Sequence, residues 1–257
     1  DLKKDEFIFL EDFSAHLSID RNFDLQHPLW GVPVRPHDVL NMHQVFDAPV
    51  YEFHVSYKDL TRPFPLDDWS QIANRRIVLH APELFDDSRL LDLCSMDEQQ
   101  INLDNLNKVC AYARDLRRKI GTNQIIPIVT NIGGFSTHDF RPSSERPDLY
   151  DRVLNNLRQI DENGCEIIIQ NMAPFPWHFG GQRYQNIFAE PKEIIEFCLQ
   201  HKRRIALDTA HLSMYCSFRS IEFDEAFNAL IPYTAHLHMS DASGLNGEGV
   251  EIGTGDV

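Results

Sequence analysis

Seven short apolar runs punctuate the chain, at 31–34, 50–57, 77–79, 125–129, 166–169, 205–207 and 234–239, and most of them stop at a polar side chain. Between them lie segments whose apolar residues recur at three- and four-residue intervals. The clearest carries Ile101, Leu106, Val109, Cys110, Ala113, Leu116 and Ile120 on one face, with Ser95 and Glu98 at capping-box spacing before it and Gly121 as its stop. A second, 148–163, runs through Leu149, Val153, Leu154, Leu157 and Ile160 to Gly164, and shorter ones occupy 37–46, the stretch opened by Pro191, and 225–230. Strands alternating with helices predict a parallel sheet. Strands that stay apolar until their last residue suit a closed TIM-type (β/α)8 barrel, an α/β fold in which every strand tip faces one mouth. An open doubly wound sheet would place a phosphate-binding G-x-G-x-x-G turn early in the chain, and the early loops contain none. The eighth strand is not in this sequence, so the expected barrel lacks its last strand. Residues 29–257 form the expected barrel domain. Residues 1–28 are polar apart from a patch at 7–10 and read as a linker or the remnant of a preceding domain. The chain opens on Asp1 and stops in a glycine-rich loop, as an excised or processed piece would.

The residues that end the runs supply the candidate chemistry. Asp208 closes one run and His211 follows three residues later, bringing a carboxylate and an imidazole to a strand's carboxyl end, where parallel α/β folds keep their chemistry. The plainer reading makes Asp208 the cap of the next turn and His211 a surface or core histidine. Other runs end in Glu52 and His54, His80, Asn131, Gln170 and Asn171, then His236, His238 and Asp241. Glu52 and His54 share a strand face, so either could contact a ligand. His80, just before Ala81-Pro82, reads as a mouth residue. His236 is expected to be buried for structural reasons and to face away from His238, and Asp241 to cap a loop. Beyond Asn171, the glycine-punctuated loop 175–184 gathers aromatic rings with His178 and Arg183. Rings suit sugar faces and arginine suits a phosphate or carboxylate, while the same rings can pack the loop onto the barrel rim.

Composition narrows the partners. The 257 residues are 42% hydrophobic and 25% charged, an ordinary globular balance, and the formal charge of −15 disfavours a nucleic-acid backbone. Five scattered cysteines, Cys94, Cys110, Cys165, Cys198 and Cys216, offer no C-x-x-C pair, so they are expected as buried packing residues in a reducing compartment. No run reaches the roughly 18 apolar residues of a membrane span and no signal segment opens the chain, so a cytoplasmic protein without a membrane partner is expected.

Four segments together resemble the xylose isomerase-like barrels, which include sugar and sugar-phosphate isomerases and epimerases and the endonuclease IV type of nuclease. They are His80-Ala81-Pro82, Gln170-Asn171, Asp208-Thr209-Ala210-His211 and His236-Leu237-His238-Met239-Ser240-Asp241. The loop 247–256 is similar to the segment preceding the last strand of such barrels. The resemblance implies one divalent cation (Mn, Mg, Co or Zn) held by a Glu, an Asp, a His and a second Glu, assisting proton transfer beside the carbonyl of a small-molecule sugar or sugar phosphate. Asp208 matches the Asp and His238 the His, and His211 matches a histidine that lies against substrate. Gln170 stands where the first Glu is expected, and the second Glu would lie on the missing strand. Metal ligands Gln170, Asp208 and His238 are thus implied, with His211 and Asp208 catalytic and His80, His54, Glu52, Asn171, His178 and Arg183 toward substrate. A glutamine cannot act as a general base, which leaves a non-catalytic sugar-binding barrel as the alternative. The nuclease branch fits less well, since Asn131 stands where it would have His. The opening 30–38 and the strand around Glu52 look like barrels fused behind sialic-acid-synthase-type proteins, which would imply nonulosonic-acid or surface-sugar metabolism. A homo-oligomer stays open.

Overall fold

The computed structural model describes residues 30–257, apart from 87, 179, 180 and 246. The expected linker at 1–28 lies outside the described residues. Seven strands, β1 (Gly31–Val34), β2 (Val50–His54), β3 (Arg76–His80), β4 (Ile126–Thr130), β5 (Cys165–Gln170), β6 (Ile205–Asp208) and β7 (Thr234–His238), form one sheet in chain order. Every neighbouring pair is parallel. Helices α1 (Val39–Phe46), α2 (Gln99–Ile120), α3 (Arg146–Leu157), α4 (Pro191–His201), α5 (Thr209–Arg219) and α6 (Phe223–Leu230) connect the strands. This is the TIM-type α/β barrel missing a strand that the periodicity predicts.

The sheet curls until its two ends approach. Arg76 of β3 donates to the Ala235 carbonyl of β7 at 2.9 Å, and two β7 histidines reach Glu52 of β2. β1 and β7 do not pair with each other among the described residues, which leaves a seam in the wall. The seam shows in burial: all five residues of β4 are buried, whereas all five of β7 are partly exposed.

Alternation along the strands sorts residues into two packing layers. Tyr51, Phe53, Ile77, Leu79, Ile126, Ile128, Ile167, Ile169, Ile205 and Leu207 join the main core with the helices. Val50, Val78, Val129, Ile168 and Ala206 form a separate inner cluster, with Ala235 packed against it. Two residues further along the same strands stand Glu52, His80, Asn131, Gln170 and Asp208. The two-residue period therefore stacks a polar layer directly above the apolar plug of the barrel.

Local signals differ from the outcome at three places. Helix α2 starts at Gln99 and its N-cap residue, Glu98, makes no capping bond. Of the capping box only the serine half forms: Ser95 Oγ accepts the Glu98 N–H at 3.3 Å, while the Ser95 N–H goes to the Asp92 carbonyl and the Glu98 carboxylate pairs with Arg89. Packing makes the box dispensable: Leu106, Val109, Cys110, Ala113, Leu116 and Ile120 are all 0% exposed. A buried aliphatic side chain contributes about 1.5–3 kcal/mol, a cap about 1 kcal/mol. Gly121, with φ +78°, ends the helix as predicted, its N–H on the Arg117 carbonyl. The second helical segment stops at Leu157 rather than continuing to 163. Finally, the stretch after Asp208 is not a turn but an eleven-residue helix, α5.

After β7 the chain forms a hairpin of β8 (Asp241–Ser243) and β9 (Gly247–Val250). Asp241 anchors it as a loop cap, accepting the backbone N–H groups of Ala242, Gly253, Gly255 and Val257 at 2.8–3.0 Å. All five cysteines are free and buried, as expected. No described helix is long and apolar enough to cross a membrane.

Candidate metal centre

Glu52 lies 7% exposed in the polar layer, ringed by imidazoles. His236 Nε2 stands 2.6 Å from its Oε2, His238 Nε2 3.0 Å from both oxygens, and His54 Nε2 3.0 Å from Oε1. His80 completes the wall, its ring stacked between His54 at 4.7 Å and His238 at 5.6 Å. His80 Nδ1 donates to the Ala81 carbonyl at 2.8 Å, so Nε2 carries the lone pair. The ligand-capable atoms of Glu52, His236 and His238 lie within 4.8 Å of one another.

His238 has two sides. Its Nε2 meets Glu52, while its Nδ1 lies 3.7 Å from Asp208 Oδ2. One imidazole can offer a cation only the nitrogen that faces it. A cation among Glu52, His236 and His238 would use Nε2 and leave the Nδ1–H directed at Asp208, the outer-shell arrangement that orients metal-bound histidines. The resemblance-implied set of Gln170, Asp208 and His238 is also brought together, on the other side of the same ring. There Gln170 Nε2 donates to Asp208 Oδ2 at 3.1 Å, and Gln170 Oε1 is buried without a hydrogen-bond partner among the described residues. Such an acceptor suits a cation or a ligand hydroxyl. Two imidazoles with a carboxylate suit zinc, manganese or cobalt better than magnesium, which favours oxygen ligands and water.

The plainer sequence reading of Asp208 holds: it caps the element that follows. Oδ1 caps α5 by accepting the His211 N–H at 3.0 Å, while Oδ2 meets Gln170 Nε2 and the His238 ring. Asn171, expected at the substrate, instead clamps the Asp208 backbone: its Oδ1 accepts the Asp208 N–H at 2.6 Å and its Nδ2 donates to the Asp208 carbonyl at 3.1 Å. His211 Nδ1 donates to the Asn171 carbonyl at 2.8 Å, and Nε2 meets Glu248 Oε1 at 3.1 Å.

The charges follow from these contacts. Burial alone would raise Glu52, yet hydrogen bonds from His236, His238 and His54 hold it far below the carboxylate range. Burial likewise opposes ionisation of Asp208, but His211 and His238 bring it down to about 2. His238 is pushed up to about 10 and His211 to about 9, because Asp208 together with Glu52 or Glu248 overcomes the burial that disfavours their charge. Burial holds His80 below its ordinary value, which keeps its Nε2 an acceptor.

The loop beyond β5 divides its rings. Phe175 and Tyr184 pack with Phe140 and Phe218 at centroid distances of 5.0–5.8 Å, which is rim packing, whereas Trp177 is 70% exposed. His178 leans on Phe135 at 5.3 Å and lines a small cleft with Glu83, Asn131 and Gln185. Burial holds His178 below its ordinary value, with the charge of Glu83 opposing the shift and that of Arg183 adding to it. Arg183 Nε is buried with no hydrogen-bond partner among the described residues.

His236 corrects the expectation. It stands two residues before His238, and a two-residue side-chain period places both on one face. They pair with Ala206 and Asp208 respectively, beyond a bulge that takes up Ala235. Glu248 was missed altogether. Its signal was an acidic residue between two glycines, too common to single out.

Comparison with solved structures supports the architecture. A D-tagatose 3-epimerase-like protein matches with 17% identity over 88% of this chain and 81% of its own, at a TM-score of 0.58. Endonuclease IV from Thermus thermophilus matches with 15% identity over 86% and 79%, at 0.57. Another protein of the same organism, soaked with ZnCl2, matches with 16% identity over 87% and 82%, at 0.58. At such identities the likeness establishes the fold alone. The comparison with curated proteins gave no match. The profile of one family, however, matches residues 50–257, which contain every element of the polar layer, and the chain belongs to that family, the xylose isomerase-like TIM barrels.

Proposed function

We propose that this barrel is a metal-dependent sugar isomerase or epimerase. The observation that carries the reading is the meeting of Glu52, His236 and His238 beside Asp208 at the carboxyl ends of parallel strands. Glu52, His236 and His238 would hold the cation, and the bound cation would polarise a substrate carbonyl so that the adjacent carbon becomes acidic. Asp208 fixes the His238 ring from behind. His80 Nε2 and Gln170 Oε1 accept from sugar hydroxyls, and Trp177 offers an exposed ring to a sugar face. The sugar-epimerase relatives in structure support a small-molecule sugar as ligand.

The resemblance to barrels behind sialic-acid-synthase-type proteins directs the substrate search toward surface sugars in the cytoplasm. A second reading, a sugar-binding barrel without catalysis, is favoured by Gln170, which removes one proton-carrying carboxylate. An endonuclease IV-like reading has support from a relative in structure but sits poorly with a formal charge of −15. The test is to load the chain with Zn2+, Mn2+ or Co2+ and incubate it with a panel of ketoses and aldoses in D2O. Deuterium entering a carbon next to the carbonyl, abolished by chelator, is the expected result. Stoichiometric sugar binding with no exchange, indifferent to chelator, would establish the binding module instead.

A further inference from the structure

The proton chemistry of such a site needs a carboxylate free to take a proton, and most of those near the mouth are engaged. Glu52 is committed to three imidazoles. Asp208 spends Oδ1 on the α5 cap and Oδ2 on Gln170 and His238. Gln170 cannot carry a proton as a base. Glu248 is in a different position: its side chain is 54% exposed, it sits in β9 between Gly247 and Gly249, and its hydrogen-bond contact is with His211 Nε2 at 3.1 Å.

Resting on the isomerase reading, we infer that Glu248 is the carboxylate that takes and returns the substrate's carbon-bound proton, with His211 handling the proton on oxygen. The hairpin base is fixed, because Asp241 holds four backbone N–H groups and Asp256 accepts the Gly244 N–H at 2.7 Å. Glu248 in β9 is thereby held against His211 of α5. The His211 ring is locked by Nδ1 on the Asn171 carbonyl, which turns Nε2 toward Glu248 and places the two proton-carrying groups side by side.

In the forward step the Glu248 carboxylate takes the hydrogen from the carbon beside the carbonyl. The C–H pair becomes the carbon–carbon double bond of an enediol, and the carbonyl π pair moves to oxygen, which takes a proton from His211 Nε2. In the return step Glu248 gives its proton to the neighbouring carbon, the other enediol hydroxyl becomes the new carbonyl, and its proton passes back to His211. No oxidant or further reactant is needed. Glu248 thereby supplies the function that Gln170 cannot.

The test compares the metal-loaded wild type with Glu248→Gln and Glu248→Asp, reading turnover and deuterium exchange in D2O together with Zn2+ affinity. For Glu248→Gln the exchange rate is expected to fall by about 100-fold or more, with KM within about threefold and Zn2+ affinity unchanged, and Glu248→Asp is expected to recover part of the rate. Exchange in Glu248→Gln within threefold of a wild type that does exchange overturns the role of Glu248 and leaves the isomerase reading standing. No exchange in the wild type with any of the three metals overturns both.

Discussion

Glu52→Gln is expected to weaken Zn2+ binding by about 100-fold or more, since even outer-shell changes cost 10–100-fold in affinity. The substitution keeps the size of the side chain and removes the one charge that three imidazole nitrogens converge on. Stability should fall with it. Removing one partner of a buried charge cluster typically costs about 3–5 kcal/mol. For a chain of this length that corresponds to a drop in melting temperature on the order of 10 °C. Isothermal titration with Zn2+ and a thermal melt of the chelator-treated protein measure the two effects separately. If both are unchanged, the Glu52 cluster is a surface ornament of the mouth and the metal centre lies elsewhere.

The second large effect is in the pH dependence of stability, measured by urea unfolding of the chelator-treated protein. Asp208 is lowered from 3.8 to about 2, so its contribution is present above pH 3.8 and is lost as the pH falls through 2. His211 is raised from 6.5 to about 9 and His238 from 6.5 to about 10, so theirs is complete below pH 6.5 and is lost as the pH rises through 9 and then 10. The combined contribution of these three groups should therefore be largest between about pH 4 and 6.5 and should fall by a few kcal/mol on the alkaline side. Asp208→Asn separates this from other alkaline effects. Asparagine caps a helix about as well as aspartate, so α5 survives, but the charge facing His211 and His238 is gone. The variant is expected to be less stable than wild type near neutral pH and to show a flatter alkaline decline. A wild-type curve that is flat from pH 5 to 10, or an Asp208→Asn curve parallel to it, would rule out the charged pairing around Asp208.

Particular residues show how far the sequence carried. The seven runs correspond to seven strands, because a short apolar segment bounded by polar ends has few other ways to be buried. Asp208 and His238 were legible for the same reason, each ending a run. Helix α5 was not legible, since Asp208 and His211 drew attention as chemistry while their spacing also specifies a cap. Asn171 was legible as a strand-end residue but not in its role, because a backbone clamp leaves no pattern in sequence.

What the sequence determined by itself was the parallel barrel, its missing strand, and the polar layer that two-residue alternation stacks above Val50, Val78, Val129, Ile168 and Ala206. Only the tertiary structure decided which polar residues meet. Glu52 and His236 are 184 residues apart in the chain, and they touch because the sheet curls enough to bring β2 across to β7. Curvature and the bulge at Ala235 are cumulative properties of many strand pairings, and no local pattern records them. The same holds for Glu248, which meets His211 across 37 residues of chain.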